Sequence, residues 1–229
     1  MKKQVLGVNI DDINLEEALK RVEGFLKDGK KHYIVTPNPE ILVAASKDKV
    51  LKEILNNADL SIPDGIGLKL GGVKNTFAGV DFMEAIIKES NDKGYTIGLL
   101  GGGRGVAAKV KECLEQRYQN ISVPFADSGG KVNEKGESES IKLPNLDILF
   151  VGFGHGKQEK WISKNINSTN VKVFMVVGGT LDYLSGQVLR APKVLRDLGL
   201  EWLFRLIIQP WRIKRQLSLL EYLLLLTRG

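Results

Sequence analysis

The chain has 229 residues, of which 43% are hydrophobic and 26% are charged. This composition is typical of one full-sized globular domain and excludes an intrinsically disordered chain. A single cysteine, Cys113, excludes a disulfide framework and a cysteine-based zinc site, and the net charge of +6 favours an anionic partner.

Apolar, β-branched runs alternate along the chain with amphipathic helical segments. In the first helical segment Leu15, Leu19 and Val22 recur at helical spacing, and Asn14 with Glu17 forms a capping-box-like start. The alternation predicts an α/β fold with a mainly parallel sheet and helices on both faces. Strands are predicted at residues 5–10, 33–36, 60–63, 95–100, 121–125, 146–151 and 171–177.

The pattern changes after residue 192, where no further strand is predicted and the rest of the chain is expected to be helical, with a break at Pro210. We therefore predict an α/β body of residues 1–195 and a helical appendage of residues 196–229. Residues 190–229 contain eight basic and three acidic residues, so the end of the chain carries most of the positive charge.

The appendage combines basic and apolar residues on helical faces. Arg205, Arg212 and Arg215 share roughly one face, beside aromatic and aliphatic residues. Such a stretch is typical of a helix that lies in a membrane interface, although the appendage can also pack on the body, and both arrangements can hold in one protein. Its apolar surface favours self-association in solution. The sequence has neither a signal-like segment nor an apolar run that could span a membrane, which favours a cytoplasmic location.

Two short polar segments each follow directly on a predicted strand. Residues 36–40 read Thr-Pro-Asn-Pro-Glu, and residues 63–67 read Pro-Asp-Gly-Ile-Gly. Ligands of open α/β sheets bind at the carboxyl ends of the strands. Thr36, Asn38 and Asp64 are therefore predicted to line one site, in which Asp64 is the candidate base.

Glycine-rich turns follow other predicted strands. The turn at residues 101–105 lacks the third small residue and the ribose-binding acid of a nicotinamide fingerprint, which argues against a dinucleotide oxidoreductase and leaves a tight strand–helix turn as the alternative. The turn at residues 152–158 lacks Walker A spacing. It nevertheless places Lys157 and Gln158 at a helix start, where they can bind a phosphate and a sugar or nucleobase.

A third turn, at residues 177–182, contains Gly178 and Gly179 and then Asp182, whose carboxylate can accept a hydrogen bond from a nucleobase. An exposed acid in the first turn of a helix is the alternative interpretation, because the helix dipole favours it there. His-x-x-His, His-Glu-x-x-His and Asp-x-Asp spacings are absent from the sequence, so neither a metal nor any other cofactor is predicted.

Taken together and in this order, these motifs resemble the WecG/TagA/CpsF glycosyltransferase family over nearly the whole chain. Thr76 stands where many members of that family have an arginine. The resemblance is carried by residues 36–40, 63–67, 78–83, 156–161, 177–179, 190–193 and 198–206.

The resemblance implies a Rossmann-like body and an inverting, metal-independent transfer of an N-acetylmannosamine-type sugar from UDP to polyprenyl-diphosphate-linked N-acetylglucosamine. It implies that this transfer takes place at the cytoplasmic membrane face, in teichoic acid or other surface polysaccharide synthesis, with the appendage binding the membrane and completing the site. Asp64 would be the base, with Thr36 and Asn38 beside it, and Gln158 would contact the donor. The resemblance also matches Arg205, Arg212 and Arg215 to arginines of the family's appendage, some of which are expected to reach a diphosphate.

A non-catalytic nucleic-acid-binding module with a basic tail is the alternative function. The aliphatic content of residues 202–208 and 217–226 argues against it, because nucleic-acid-binding arms rarely carry so much apolar surface. The expected partners are therefore a UDP-sugar donor, a lipid-diphosphate acceptor and a membrane surface, and not a nucleic acid.

Overall fold

The computed structural model describes residues 1–210 and 213–227, apart from the side chains of residues 197 and 214–216. Two 3₁₀ helices lie at Ile66–Gly71 and Ile166–Ser168. In chain order the strands and α-helices are β1 (Lys2–Val5), β2 (Val8–Asp11), α1 (Leu15–Lys27), β3 (His32–Val35), α2 (Pro39–Lys47), α3 (Lys49–Asn56), β4 (Leu60–Ser61), α4 (Gly79–Lys93), β5 (Thr96–Gly101), α5 (Val106–Arg117), β6 (Ser122–Asp127), β7 (Leu146–Gly152), α6 (Lys157–Asn165), β8 (Val171–Val176), α7 (Thr180–Leu184), α8 (Lys193–Asp197), α9 (Glu201–Ile208) and α10 (Ile213–Leu226).

Six parallel strands form the central sheet, in the spatial order β4-β3-β8-β7-β5-β6. Along β7, Ile148 and Phe150 pack in one hydrophobic core, and Leu149 and Val151 pack in a second core on the opposite face. Helices α1, α4, α5 and α7 contribute to the first core, and α2, α3, α6 and α10 contribute to the second. The predicted Rossmann-like α/β fold is therefore confirmed, with strands that are apolar on both faces because helices cover both.

The single strand predicted at residues 5–10 is wrong. The chain reverses at Leu6 and Gly7, which both have positive φ angles (49° and 77°), and β1 pairs with β2 as an antiparallel hairpin. Two consecutive residues with positive φ form the tight turn that suits the twist of a hairpin. Val5 and Val8 flank this turn and are both buried in the second core, which is why the apolar pattern resembles one continuous strand.

The helix starts follow from local capping chemistry. Asn14 Oδ1 accepts a hydrogen bond from Glu17 N, and the Glu17 carboxylate accepts one from Asn14 N, each at 2.9 Å, which confirms the capping box of α1. Asn38 caps α2, and Pro39 occupies the first helical position, where its missing N–H costs no hydrogen bond. Helices α2 and α3, which the strand pattern did not predict, connect β3 to β4.

The end of the chain is helical, as predicted, and it breaks around Pro210, because α9 ends at Ile208 and α10 begins at Ile213. Helix α10 packs against α2, and its Tyr222 is only 1% exposed within the second core. Packing on the body, one of the two arrangements expected for the appendage, is thus present for α10. The predicted division near residue 195 lies inside α8, and it remains a prediction.

Tyr222 provides a test of this packing. The Tyr222→Ala variant is expected to lower the free energy of unfolding by about 3 kcal/mol, because it leaves a large cavity between α10 and α2. The Tyr222→Phe variant is expected to be as stable as the original protein or more stable, because the buried hydroxyl group has no hydrogen-bond partner among the described residues. Urea unfolding at pH 7 measures both, and equal stability of all three proteins would contradict the packing of α10.

Candidate active site

The candidate residues lie where two neighbouring strands send their connections to opposite faces of the sheet. β3 pairs with β8, yet β3 continues into α2 in the second core and β8 continues into α7 in the first. Ligands of open α/β sheets bind in the crevice at such a switch point, outside the carboxyl ends of the strands. The topology thus creates a crevice beside the segments that follow β3, β4 and β8.

Backbone pairing between the segments after β3 and β4 holds two of the predicted catalytic residues side by side. Pro37 O accepts a hydrogen bond from Asp64 N at 3.1 Å. A Cβ atom built on Gly79 would lie 3.7 Å from the Asp64 carboxyl carbon and 3.7 Å from Thr36 Cβ. The start of α4 therefore closes over the two residues, and the glycine at this position permits the close approach.

The Asp64 carboxyl group is held by two hydrogen bonds. Asp64 Oδ1 accepts one from Gly79 N at 2.9 Å, and the Asn38 side chain forms the other. Asn38 Oδ1 accepts a hydrogen bond from Ile41 N at 3.1 Å as the cap of α2. The Asn38 amide oxygen is thus engaged in capping, and its NH₂ group is the donor to Asp64. Asn38 therefore caps α2 and orients the candidate base.

The environment of Asp64 raises its pKa to about 6. Burial is the largest cause, and the negative charge of Glu201 acts in the same direction. The hydrogen bonds from Gly79 and Asn38, together with the charge of Arg205, lower the pKa and offset part of this effect. A carboxyl group with a pKa of about 6 is mostly ionised at neutral pH and still binds a proton well, which suits a general base.

Two cavities meet at Asp64. The small cavity has a volume of about 190 Å³, and the large cavity has a volume of about 790 Å³. The small cavity extends towards α7 and α9, and the large cavity extends towards α8, α10 and the 3₁₀ helix Ile66–Gly71. The residues that line both cavities are Glu40, Asp64, Ala78, Glu201 and Trp202.

Three of the predicted binding residues lie close together, and one of them, Arg205, lines the small cavity. Arg205 lines it from α9, with its guanidinium carbon 4.6 Å from the centre of the Tyr183 ring. A Cβ atom built on Gly179 would lie 2.8 Å from Arg205 Nη2 and 3.3 Å from Asp182 Oδ2. The space beside Gly179 thus brings a cation and a carboxylate to the carboxyl end of β8.

Gln158 is buried behind the same turn and lines neither of the two cavities. Its Oε1 accepts a hydrogen bond from Gly178 N at 3.2 Å, and its Nε2 donates one to Glu159 Oε1 at 2.9 Å. Glu159 Oε2 accepts another from Gly156 N at 2.7 Å, and burial raises the pKa of Glu159 to about 7. These bonds tie the start of α6 to the turn after β8.

The other predicted cations, Lys157, Arg212 and Arg215, are not among the described residues that line the two cavities. Lys157 lines neither cavity, and its Nζ lies 2.9 Å from Glu134 Oε1. Arg212 lies outside the described residues, as does the side chain of Arg215. The roles predicted for these three residues remain predictions.

Neither a metal-binding cluster nor a membrane-spanning helix occurs in residues 1–210 and 213–227. Within these ranges, no three His, Cys, Asp or Glu side chains are grouped closely enough to hold a metal ion. The same ranges contain no helix that is both long enough and apolar enough to cross a membrane.

Comparison with known proteins identifies the family. The sequence model of the glycosyl transferase WecG/TagA/CpsF family matches residues 3–229. The chain belongs to the WecG/TagA/CpsF glycosyltransferase family. It is similar to proteins named N-acetylglucosaminyldiphosphoundecaprenol N-acetyl-beta-D-mannosaminyltransferase from Staphylococcus aureus, with 32% identity for strains MRSA252 and NCTC 8325 and 31% for strain MW2. Each alignment covers 95% of this chain and 89% of the relative.

Sequence reasoning did not assign three residues that line both cavities of this glycosyltransferase. Glu201 and Trp202 belong to the segment 198–206, which carries the family resemblance. The motif therefore marked the segment as important but did not indicate that these two side chains line the cavities. Glu40 ends the polar segment that begins at Thr36, and its Oε2 lies 3.5 Å from His155 Nδ1.

Arg190 joins the appendage of the glycosyltransferase to α4. Its guanidinium nitrogens lie 2.7 Å from Asp81 Oδ1, 3.5 Å from Glu84 Oε2 and 3.6 Å from Glu201 Oε1. Asp81 and Glu84 are on α4, whose first residue binds the Asp64 carboxyl group, and Glu201 begins α9. This network therefore holds the start of α9 over the site.

The raised pKa of Asp64 predicts how stability depends on pH. Proton binding to Asp64 favours the folded state, so this stabilisation is complete below the ordinary pKa of 3.8 and is lost as the pH rises through about 6. The Asp64→Asn variant keeps an oxygen for Gly79 N and carries no charge. It is expected to melt at a higher temperature than the original protein at pH 8, with a smaller difference at pH 4.5.

Asp12 provides a control of opposite sign for this measurement. Partial burial acts to raise the pKa of Asp12, but hydrogen bonds from the backbone of Asn75 and Lys74 outweigh this effect, and the pKa is lowered overall. The resulting stabilisation is present above the ordinary pKa of 3.8 and is lost as the pH falls below it, so the Asp12→Asn variant should lose stability about equally at pH 8 and pH 4.5 and should lose less only in more acidic solution. An Asp64→Asn variant that melts below the original protein at pH 8 would contradict the unfavourable ionisation of Asp64.

Proposed function

We propose that this glycosyltransferase moves N-acetylmannosamine, or a related sugar, from UDP to a polyprenyl-diphosphate-linked N-acetylglucosamine, with inversion and without a metal. One observation carries the proposal: the carboxyl group of Asp64 lines both cavities, so that substrates in two separate spaces can meet at one base. The names of the Staphylococcus relatives support this choice of sugar and acceptor. Teichoic acid or another surface polysaccharide is the proposed destination of the product.

The proposed chemistry is a single displacement. The ionised Asp64 carboxylate takes the proton from an acceptor hydroxyl group, and the oxygen of that group forms a bond to the anomeric carbon of the donor sugar. The bond from this carbon to the oxygen of the UDP diphosphate breaks, and UDP leaves with the electron pair. A pKa of about 6 supports the assignment, because the base must be ionised before the reaction and must then hold a proton. Thr36 and Asn38 keep their proposed places beside it.

The leaving diphosphate gains negative charge and needs a cation near it. Arg205 lines the small cavity, where its guanidinium group can bind two phosphate oxygens at once. We place the donor there, with Asp182 and the turn at Gly178 and Gly179 beside it. The bonds of Gln158 support an indirect contribution, in which it holds the Gly178 turn in place.

The apolar surface of the appendage supports a peripheral position on the inner face of the cell membrane. Helix α9 exposes Leu203 and Ile207, and α10 exposes Leu217, Leu220 and Leu224, with the exposed fraction of Ile207 reaching 69%. Exposed aliphatic side chains beside basic residues are typical of helices that lie in a lipid interface. The same surface would support self-association in solution, which we include in the proposal.

The catalytic proposal is tested by UDP release from UDP-N-acetylmannosamine in the presence of a lipid-diphosphate N-acetylglucosamine acceptor. The Asp64→Asn variant should lower kcat by about a hundredfold or more, because the base is lost. In the unchanged protein, kcat/KM should fall as the pH drops through about 6, as Asp64 becomes protonated. The Glu201→Gln variant should move this fall to lower pH, because the charge of Glu201 raises the pKa of Asp64.

Two results would count against the base. One is an Asp64→Asn variant that is folded and retains most of its turnover. The other is a pH profile that does not move when Glu201 is neutralised, which would assign the acidic limb to another group. The Glu84→Gln variant is the matched control, because Glu84 also faces Arg190 and lines neither cavity.

The membrane proposal is tested by flotation with vesicles that contain anionic lipid. The double variant Leu203→Asn with Ile207→Asn should reduce the vesicle-bound fraction about tenfold or more, because each aliphatic side chain gains about 1.5–3 kcal/mol on burial. Its melting temperature should not change, because both residues are exposed. The Val50→Asn variant is the control, since Val50 is 57% exposed on α3. Equal flotation of all three proteins would exclude α9 as the contact.

A further inference from the structure

The chemistry proposed above places the donor in the small cavity and does not say which part of the acceptor the large cavity holds. The large cavity is formed between the body and the appendage, because its lining combines the 3₁₀ helix Ile66–Gly71 with residues of α8 and α10. Its volume of about 790 Å³ is in the usual range for a ligand cavity. Asp64 lies where this cavity meets the small one.

Most acidic side chains of the large cavity line a different part of it from the basic ones, the exception being Asp81, which lies 3.6 Å from Arg196. Most of its acids also line the small cavity, and so belong to the end that the two cavities share. These acids are Glu40, Asp64 and Glu201. In contrast, the cations line the large cavity without reaching the small one, and they are Lys69, Lys193 and Arg196. An anionic group that enters the large cavity would therefore rest beyond the base and not beside it.

Arg196 has capacity to bind an anion. Its Nη1 lies 3.6 Å from Asp81 Oδ1, but Arg190 engages the same oxygen more closely, at 2.7 Å. Arg196 Nε is buried and has no hydrogen-bond partner among the described residues. A guanidinium group carries five N–H donors, and the contact to Asp81 uses few of them. Lys193 is exposed on the same helix.

Aliphatic side chains line the large cavity beside these cations. Leu70 of the 3₁₀ helix is 66% exposed, and Leu223 of α10 is 43% exposed. They come from opposite sides of the cavity, one from the body and one from the appendage. Exposed aliphatic side chains at a cavity mark the place of an apolar ligand or membrane.

We propose that the large cavity binds the lipid-diphosphate part of the acceptor. Arg196 and Lys193 hold the diphosphate, Leu70 and Leu223 contact the first prenyl units, and the acceptor sugar lies at the shared end beside Asp64. The carboxylates at the shared end, the cations outside it and the aliphatic side chains of the same lining then provide for the sugar, the diphosphate and the hydrocarbon of the ligand. This inference rests on the proposed function, because it assumes a lipid-diphosphate acceptor.

Farnesyl diphosphate, a short soluble lipid diphosphate, is the probe for a test by titration calorimetry on the full chain. The Arg196→Gln and Lys193→Gln variants should each weaken its binding about tenfold, and each should bind UDP as the original protein does. The Arg196→Lys variant should keep most of the affinity, because it keeps the charge. The Lys20→Gln variant removes one charge from α1, away from both cavities, and should change nothing.

The hydrocarbon contact is tested separately with inorganic pyrophosphate. The Leu70→Asn variant should weaken the binding of farnesyl diphosphate and leave the binding of pyrophosphate unchanged. The inference would be overturned if farnesyl diphosphate bound equally to the Arg196→Gln, Lys193→Gln and original proteins, or if UDP displaced it competitively, since this would place both ligands in the small cavity.

Turnover measurements separate this inference from the proposed function. If the sugar is transferred but neither Arg196→Gln nor Lys193→Gln raises KM for the lipid acceptor, the assignment of the large cavity is wrong and the proposed function stands. If farnesyl diphosphate binds through Arg196 and Lys193 but no amino sugar is transferred, the proposed function is wrong and the lipid-diphosphate site stands.

Discussion

The fixed backbone of residues 63 and 64 is the constraint on which the site depends. Asp64 N donates to Pro37 O on the β3 side, and Pro63 O accepts from Phe77 N on the other side. Successive residues of an extended chain direct their backbone N–H and C=O groups to opposite sides. Because Asp64 bonds to the β3 side, an N–H at residue 63 would point to the other side. Proline, which has no N–H, therefore costs no hydrogen bond to β3. With its backbone bonded on both sides, Asp64 presents its carboxyl group to Gly79 N and the crevice. A shift of one residue in this pairing would turn the carboxyl group away from both cavities.

The appendage supplies the two charges that act on the pKa of Asp64. Glu201 and Arg205 are four residues apart on α9 and therefore share a helical face, and both line the small cavity. Their effects on the pKa of Asp64 are opposite, since Glu201 raises it and Arg205 lowers it. The body contributes burial and hydrogen bonds, whereas the charge balance depends on where α9 lies. The ion pairs of Arg190 with Asp81 and Glu201 fix that position, so the proton affinity of the base is coupled to the docking of the appendage.

The sequence was informative where local chemistry decides the outcome. The capping box at Asn14 and the break at Pro210 are local effects, and the positions of Asp64 and Thr36 follow from strand ends in an α/β sheet. The hairpin was missed because Leu6 adopts a positive φ, which a leucine seldom does. The contacts of Glu201 and Arg190 could not be predicted, because they join segments that are distant along the chain. The same holds for Arg196, which lines the large cavity together with Thr76.

The buried amide of Gln158 supports an indirect role in donor binding, in place of the predicted direct contact. Its carbonyl oxygen accepts from Gly178 N, and its NH₂ group donates to Glu159, so both ends of the amide already have protein partners. A phosphate oxygen could bind only the NH₂ group of Gln158, and by displacing Glu159 it would leave a buried carboxyl oxygen without that hydrogen bond, which costs about 1–3 kcal/mol. The arrangement of lower free energy keeps the hydrogen bonds of Gln158 intact. In the proposed function, the donor then lies beside the Gly178 turn that Gln158 holds in place. In the proposed arrangement Arg205, which lines the small cavity beside Gly179, would meet the phosphate directly. The turn at Gly178 and Gly179 on the body thus lies beside Arg205 of α9, and the proposed donor site needs α9 in place.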